Sequence, residues 1–130
     1  ISARSFMFQF PKPKKRVSLD DMIEIAPTAT TTLSKWSRSR TDKGMAKIRQ
    51  KGYDPKEEMW AIDIGSSVPH PMRDCLPCVT AARRYSGGHF LSTVNRTTTI
   101  NELLMAQGFC ADLMTTSMSD AKLGEAIGNA

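Results

Sequence analysis

The sequence lacks long hydrophobic runs and a secretory leader. No stretch of its 130 residues approaches the roughly 20 consecutive apolar residues that a membrane span needs, so we expect no membrane partner. No charged and then apolar leader ends in a small-residue cleavage site, so nothing predicts secretion. We expect an intracellular protein, nuclear if its source is a eukaryote. Ile1 at the start and Ala130 within a helical pattern at the end predict a piece of a longer protein.

Cysteine is scarce and odd in number, which argues against a disulfide framework in a chain without secretory context. Cys75 and Cys78 have the C-x-x-C spacing of half a zinc site or of a redox pair. No second pair follows, and Cys110 and His89 are poorly spaced to complete four ligands. We therefore interpret the two cysteines as small core residues beside Val79, and predict no metal site.

Composition and charge define the broad class. The chain is 40% hydrophobic and 24% charged, which is typical of one soluble globular domain and excludes a low-complexity or disordered chain. The net charge is +5, but residues 1–51 hold 12 basic and 4 acidic side chains, whereas residues 52–130 hold 6 basic and 9 acidic ones. Such a basic half can concentrate a nucleic acid through counterion release, or it can merely keep the protein soluble.

Short apolar runs predict a few strands. Strands are expected over 6–10, closed by prolines, and over 60–64, before a turn at 65–67. Two more are expected over 78–80 and 89–94, with a glycine-containing connection between them. Residues 66–74 have the prolines and glycine of a loop.

The first half of the chain also contains helix-start signals. Ser18, followed by the acidic residues Asp20 and Asp21, predicts a helix over 19–25. Residues 28–39 are rich in Thr and Ser and predict a loop. Thr41 or Asp42 then predicts the cap of a basic helix over 43–51.

The best-specified local signal lies near the end of the chain. Thr99-Ile-Asn-Glu102 is a capping box, in which Thr hydroxyl and Glu carboxylate each accept from the other residue's backbone N–H. Gly108 predicts the end of that helix. A last helix is expected to begin near Ser117 or Ser119.

Two stretches around these helices resemble one family. Residues 96–109 read Arg-Thr-Thr-Thr-Ile-Asn-Glu-Leu-Leu-Met-Ala-Gln-Gly-Phe, and residues 127–130 read Ile-Gly-Asn-Ala. They resemble the ninth and tenth conserved motifs of DNA cytosine-5 methyltransferases. Residues 8–13 are similar to the segment after the eighth motif, and residues 79–88, with Tyr-Ser-Gly-Gly at their end, to the recognition segment before the ninth.

The resemblance implies a fold and a domain organisation. It implies an α+β fragment, with a small irregular β-rich target-recognition region followed by two helices that would pack on a Rossmann-like methyltransferase domain. Residues 1–25 would end the catalytic domain, residues 26–95 would form the recognition region, and residues 96–130 would return to the catalytic domain. The sequence departs from the family's usual residues at Thr98, Met105, Ala106, Cys110 and Ala126, which leaves a divergent or inactive relative open.

The resemblance also implies which chemistry belongs to the rest of the parent protein. In the family, a cysteine in a Pro-Cys-Gln motif attacks carbon 6 of cytosine, and a Phe-x-Gly-x-Gly turn binds S-adenosyl-L-methionine. This chain has neither motif, since Pro77-Cys78 is followed by Val79. We therefore expect no catalytic residue here. The implied cofactor is S-adenosyl-L-methionine, and the implied partners are double-stranded DNA and an N-terminal catalytic domain.

The recognition segment supplies the predicted DNA-binding residues. Arg83 and Arg84 are placed to hold phosphate or to read guanine through O6 and N7. Gly87 and Gly88 let the backbone approach the bases. The alternative is an ordinary hairpin with a glycine turn and two solvent-facing arginines. The predicted DNA-binding set is Arg83, Arg84, Tyr85, Ser86, Gly87 and Gly88.

The two motifs supply the other predicted site residues. Gly128 and Asn129 resemble the tenth-motif positions that close the S-adenosyl-L-methionine pocket, with a helix-capping asparagine as the alternative. The ninth-motif positions, which hold the recognition domain against the catalytic one, are Arg96, Thr99, Glu102, Gln107, Gly108 and Phe109.

The sequence also allows two functions other than that of a methyltransferase fragment. One is a non-catalytic DNA-binding module derived from the same family. The other is an unrelated basic domain whose motif matches are coincidental. A Pro-Cys-Gln motif upstream would separate an enzyme from the first alternative.

Overall fold

The computed structural model describes residues 18–23, 32–82, 88–109 and 117–129. These residues form a small α+β protein, which confirms the predicted class. None of the helices described is long and apolar enough to cross a membrane. The elements are a 3₁₀ turn (Asp20–Met22), α1 (Lys35–Gln50), β1 (Trp60–Asp63), β2 (Pro71–Arg73), β3 (His89–Leu91), β4 (Arg96–Thr97), α2 (Ile100–Ala106) and α3 (Asp120–Gly128).

The four strands form one antiparallel sheet in the order β2-β1-β3-β4. In β1 the side chains alternate between the two faces, so Trp60 and Ile62 join a core cluster with Ile48 of α1. Ala61 points to the other face, where it lies opposite Leu91 and packs in a second cluster. The sheet is therefore covered on one face by α1.

The second face of the sheet is covered by the described N-terminal segment. Leu19 is buried there against Met59 and Leu91. Asp74, just after β2, accepts hydrogen bonds from the Ser18 hydroxyl at 2.8 Å and from the Leu19 N–H at 2.7 Å. One carboxylate thus joins two segments that are far apart in the sequence.

Helix α1 begins earlier than the sequence predicted. Ser34 is its N-cap and accepts from the Ser37 N–H at 3.2 Å, so residues 35–39 are helical and not loop. Thr41 is not a cap; its hydroxyl donates to the Ser37 carbonyl at 2.9 Å within the helix. Gly52, with φ of 87°, follows the end of the helix as expected.

Three further local predictions differ from the structure. The predicted helix over 19–25 is a 3₁₀ turn of three residues, because Ile23 is already extended. Residues 71–73 form β2 within the predicted loop, where they pair with β1. Residues 78–80 form no strand, and Val79 instead packs against the helices α2 and α3. The strand predicted over 6–10 lies outside the described residues.

Helix α1 lies close against the sheet at Gly44. A Cβ built on Gly44 would lie 2.5 Å from Cγ2 of Ile62, which is fully buried. Because a β-branched side chain is stiff at χ1, Ile62 has little freedom to withdraw. Gly44 therefore sets the distance between the helix and the sheet.

We expect Gly44→Ala to destabilise the protein by about 1–2 kcal/mol, although alanine is the better helix former. Overpacking a core costs about 1–3 kcal/mol, whereas the gain in helix propensity is at most about 1 kcal/mol. Urea denaturation measures the difference. Ala46→Gly, on the exposed side of the same helix, is the control for propensity. A more stable Gly44→Ala variant would show that the helix and sheet have room to spare.

Candidate functional site

Three of the predicted ninth-motif residues, Arg96, Thr99 and Glu102, meet at the corner where the sheet passes into α2. Arg96 lies in β4, and its guanidinium holds the Glu102 carboxylate in a two-pronged ion pair with N–O distances of 2.6 and 3.0 Å. The Arg96 and Glu102 side chains are only 10% and 2% exposed. Bidentate pairs of this kind are strong and directional. The pair therefore fixes the edge of the sheet to the first turn of the helix.

The same carboxylate completes the predicted capping box. Glu102 accepts from the Thr99 N–H at 2.8 Å, and the Thr99 hydroxyl accepts from the Glu102 N–H at 3.2 Å. Arg96 also donates to the Thr97 carbonyl at 3.0 Å. Glu102 is thus both a helix cap and a partner of the buried arginine. The sequence predicted the first of these roles from spacing alone.

The Gln-Gly-Phe triplet ends α2 in a Schellman motif. The Phe109 N–H donates to the Leu104 carbonyl and the Gly108 N–H to the Met105 carbonyl, both at 2.9 Å. Gly108 has φ of 85°, a left-handed conformation that glycine adopts at little cost. The glycine of this motif is therefore needed to stop the helix.

Helices α2 and α3 pack against each other. Leu104 and Leu123 lie in their shared buried cluster, and Val79 packs against it. The Gln107 side chain donates from Nε2 to the Ile127 carbonyl at 3.4 Å. The two motifs that resemble the family are therefore joined by an apolar contact and a hydrogen bond.

The end of α3 lies directly against the chain at residues 80 and 81. A Cβ on Gly128 would overlap the backbone of Thr80 and Ala81, so no other residue fits without moving that segment. Asn129 is the C-cap of α3, and its N–H donates to the Glu125 and Ala126 carbonyls at 3.2 Å. Asn129 is an exposed residue. The capping interpretation of Asn129 therefore describes its backbone, whereas its side-chain amide lies at the surface.

Five of the six predicted DNA-binding residues, 83–87, lie outside the described residues. Gly88 is described and is buried, with φ of 72°. A Cβ there would lie 3.0 Å from the Thr98 hydroxyl oxygen, and the Thr98 N–H donates to the His89 carbonyl at 2.8 Å. Gly88 thus has a packing reason to be glycine, and its contact with DNA stays a prediction.

The cysteines of the C-x-x-C pair are free thiols. Cys75 is partly buried and Cys78 is exposed, so Cys78 is not the core residue that the sequence predicted. Within the described ranges, no group of three or more His, Cys, Asp or Glu side chains is arranged to hold a metal ion.

The basic surface of α1 extends further towards the N-terminus than the basic helix predicted over 43–51. Trp36 is 75% exposed and lies one helical turn from Arg40, whose guanidinium carbon is 6.0 Å from the centre of the ring. The sequence signal for this extension is the spacing of Trp36, Arg40, Lys43 and Lys47 by three and four residues.

Comparison with known proteins does not assign the chain to a family. No family model matches it, and no curated protein or solved structure is significantly similar to it. The fold and the site therefore define a small α+β protein with a four-stranded antiparallel sheet. The predicted boundary between residues 95 and 96 falls within the hairpin formed by β3 and β4.

We expect Glu102→Ala to cost about 3–5 kcal/mol, because it leaves a buried arginine without its partner. Thr99→Ala removes only a cap and should cost about 0.5–2 kcal/mol. Thermal and urea denaturation measure both.

A double replacement keeps this prediction testable if Glu102→Ala does not fold. Arg96→Met combined with Glu102→Leu buries no charge and should recover most of the lost stability. A double variant as unstable as Glu102→Ala would contradict the importance of the unpaired charge.

Proposed function

We propose that this chain is the C-terminal portion of a DNA cytosine-5 methyltransferase. In the parent enzyme it would contribute target recognition and one edge of the S-adenosyl-L-methionine pocket. The observation that carries the proposal is the buried Arg96–Glu102 ion pair, which unites residues that resemble the ninth motif. Both lie at the junction between sheet and helix, where a residue pair that holds two domains together is needed.

The arrangement of α2 and α3 supports a structural role for these residues. Arg96 fastens the sheet, Glu102 caps α2, and Gln107 reaches the last turn of α3. A recognition sheet attached in this way cannot turn independently of the helices. Such a connection would carry the position of bound DNA to the catalytic domain.

Exposed apolar side chains support a partner domain next to these helices. Met105 is 39% exposed, and Phe109 and Met118 are each 44% exposed. Large apolar side chains at the surface are common at protein contacts when they are grouped. We assign them to contact with the Rossmann-like catalytic domain of the parent protein.

The chain's part in the reaction is to hold DNA. In the family, the target cytosine is flipped out of the duplex, which costs a few kcal/mol. Arg83 and Arg84 would contact phosphate or guanine beside the opened base pair. The nucleophilic thiolate and most of the cofactor site belong to the catalytic domain, so this chain alone would not transfer a methyl group.

We assign Asn129 to an edge of the cofactor pocket of the parent enzyme. Its amide is at an exposed helix end, where it can donate to and accept from a polar ligand. Gly128, by contrast, packs against the backbone of Ala81. The cofactor contact is therefore assigned to Asn129, and Gly128 would act by keeping the helix end in place.

We expect Arg83→Ala combined with Arg84→Ala to weaken binding of duplex DNA at least about tenfold at low salt, since a good arginine contact contributes about 1–3 kcal/mol. Fluorescence anisotropy with a labelled duplex measures this. The control is Lys56→Ala with Lys122→Ala, which removes two charges from exposed positions elsewhere. Equal binding by parent and Arg83/Arg84 variant would favour the unrelated basic domain.

We expect Asn129→Ala, in the protein that contains this chain, to weaken S-adenosyl-L-methionine binding more than DNA binding. Calorimetric titration with the cofactor and anisotropy with a duplex measure the two affinities. Glu125→Ala, exposed on the same helix, is the control. Unchanged cofactor affinity would refute the assignment. A parent that binds DNA but has no Pro-Cys-Gln motif would be the non-catalytic module.

A further inference from the structure

Helix α1 concentrates positive charge. Residues 35–51 hold seven of the 18 Lys and Arg residues but only one acidic residue, Asp42. At about 100° per residue, side chains spaced three or four apart share one side of a helix. We call one such side the basic stripe; it consists of Trp36, Arg40, Lys43, Lys47 and Lys51.

The basic stripe is held in place by contacts that leave its charge intact. Arg40 donates to the Ile64 carbonyl at 2.9 Å, and Lys47 donates to the Pro69 carbonyl at 3.0 Å. A carbonyl carries no net charge, so neither contact neutralises the cation. Throughout the described part of the chain, no carboxylate forms an ion pair with a basic side chain of α1.

The other exposed side of the helix has a different charge balance. Lys35, Arg38 and Arg49 lie there with Asp42, which is four residues from Arg38 and close enough to offset its charge. The charge balance is therefore +2 on this side (three basic and one acidic residue) and +4 on the basic stripe (Arg40, Lys43, Lys47 and Lys51). The basic stripe has no acidic residue along its length. Positive potential is therefore concentrated on one side of α1 and not spread evenly around it.

A groove runs beside the basic stripe. It has a volume of about 390 Å³ and lies between Lys43 and Lys47 on the helix and residues 67–69 on the adjoining loop. Two lysines thus border a recess that an anionic group can approach. The recess is next to the face that presents the exposed ring of Trp36.

We propose that the basic stripe binds the phosphate backbone of double-stranded DNA, as a surface separate from the predicted recognition segment. A helix of 16 residues is about 24 Å long, and over that length one strand of B-DNA presents about seven phosphates. The choice of DNA as the partner rests on the proposed function, whereas the charge and the geometry of the basic stripe are observed independently of that function.

The same observations disfavour a membrane surface. A helix that lies in a lipid interface has a broad apolar face directed at the lipid. The apolar residues of α1 that face outwards are Trp36 and Ala46, and the remaining exposed positions are polar or charged. A polyanion with a rigid, regular spacing of charge matches this surface better.

Paired variants of the full chain test the proposal. Lys43→Gln with Lys51→Gln neutralises two exposed members of the stripe, and Arg38→Gln with Arg49→Gln removes the same charge from the other side. Affinity for a labelled 20-base-pair duplex is measured by anisotropy from 50 to 300 mM salt. Thermal denaturation confirms that both variants fold.

The stripe variant should bind about 10- to 60-fold more weakly at 0.1 M salt, because each lost phosphate contact is worth a factor of about 8 there. Its salt slope should fall by about 1.8, since each contact contributes about 0.9. In the control variant, the change in the logarithm of the DNA affinity should be less than about a third of the change in the stripe variant. Equal losses in the two variants would refute the stripe, as would stripe-dependent binding to phosphatidylserine vesicles that exceeds binding to DNA.

Tryptophan fluorescence gives a second readout. Of the two tryptophans, Trp36 is 75% exposed and Trp60 is 4% exposed, so acrylamide quenching reports mainly on Trp36. Duplex DNA should protect Trp36 in the parent and in the Arg83/Arg84 variant. Protection of Trp36 in that variant would support DNA binding by the basic stripe, even if Arg83 and Arg84 made no contact with DNA. Unchanged quenching in a saturated parent complex would overturn the proposal.

Discussion

The buried ion pair between Arg96 and Glu102 is the interaction on which the arrangement of this protein depends. It joins the edge strand of the sheet to the first turn of α2, and the same carboxylate caps that helix. A buried charge without a partner is expensive, so the two residues can be replaced only together. Sheet, helix cap and the start of α2 are therefore one unit, and α3 is attached to it through Gln107.

Two glycines set the distances between the layers around this unit. Gly44 lets α1 lie close to Ile62 of the sheet, and Gly128 lets α3 lie against the backbone at Ala81. Neither position has room for a methyl group, and neither glycine is in a turn. Close approach of backbone, and not flexibility, explains why glycine is present at these two points.

The sequence predicted best where local chemistry decides the structure. The capping box at Thr99 and the end of α2 at Gly108 follow from interactions within a few residues, and the structure confirms both. The predicted start of α1 was wrong because Ser34 and Thr41 are both residue types that form N-caps, and Thr41 is in fact a buried residue inside the helix. The ion pair of Glu102 with Arg96 was not predicted, because nothing in residue spacing points from a helix cap to an edge strand. The concentration of charge on one side of α1 was not predicted, because the predicted helix over 43–51 left out its first eight residues.

The contact of Gly128 with residues 80 and 81 has a consequence for redesign. These residues immediately precede the segment predicted to read DNA, so a transplanted recognition segment has to enter along the same backbone path or displace the end of α3. Loop exchange and helix repacking are therefore a single design problem in this protein.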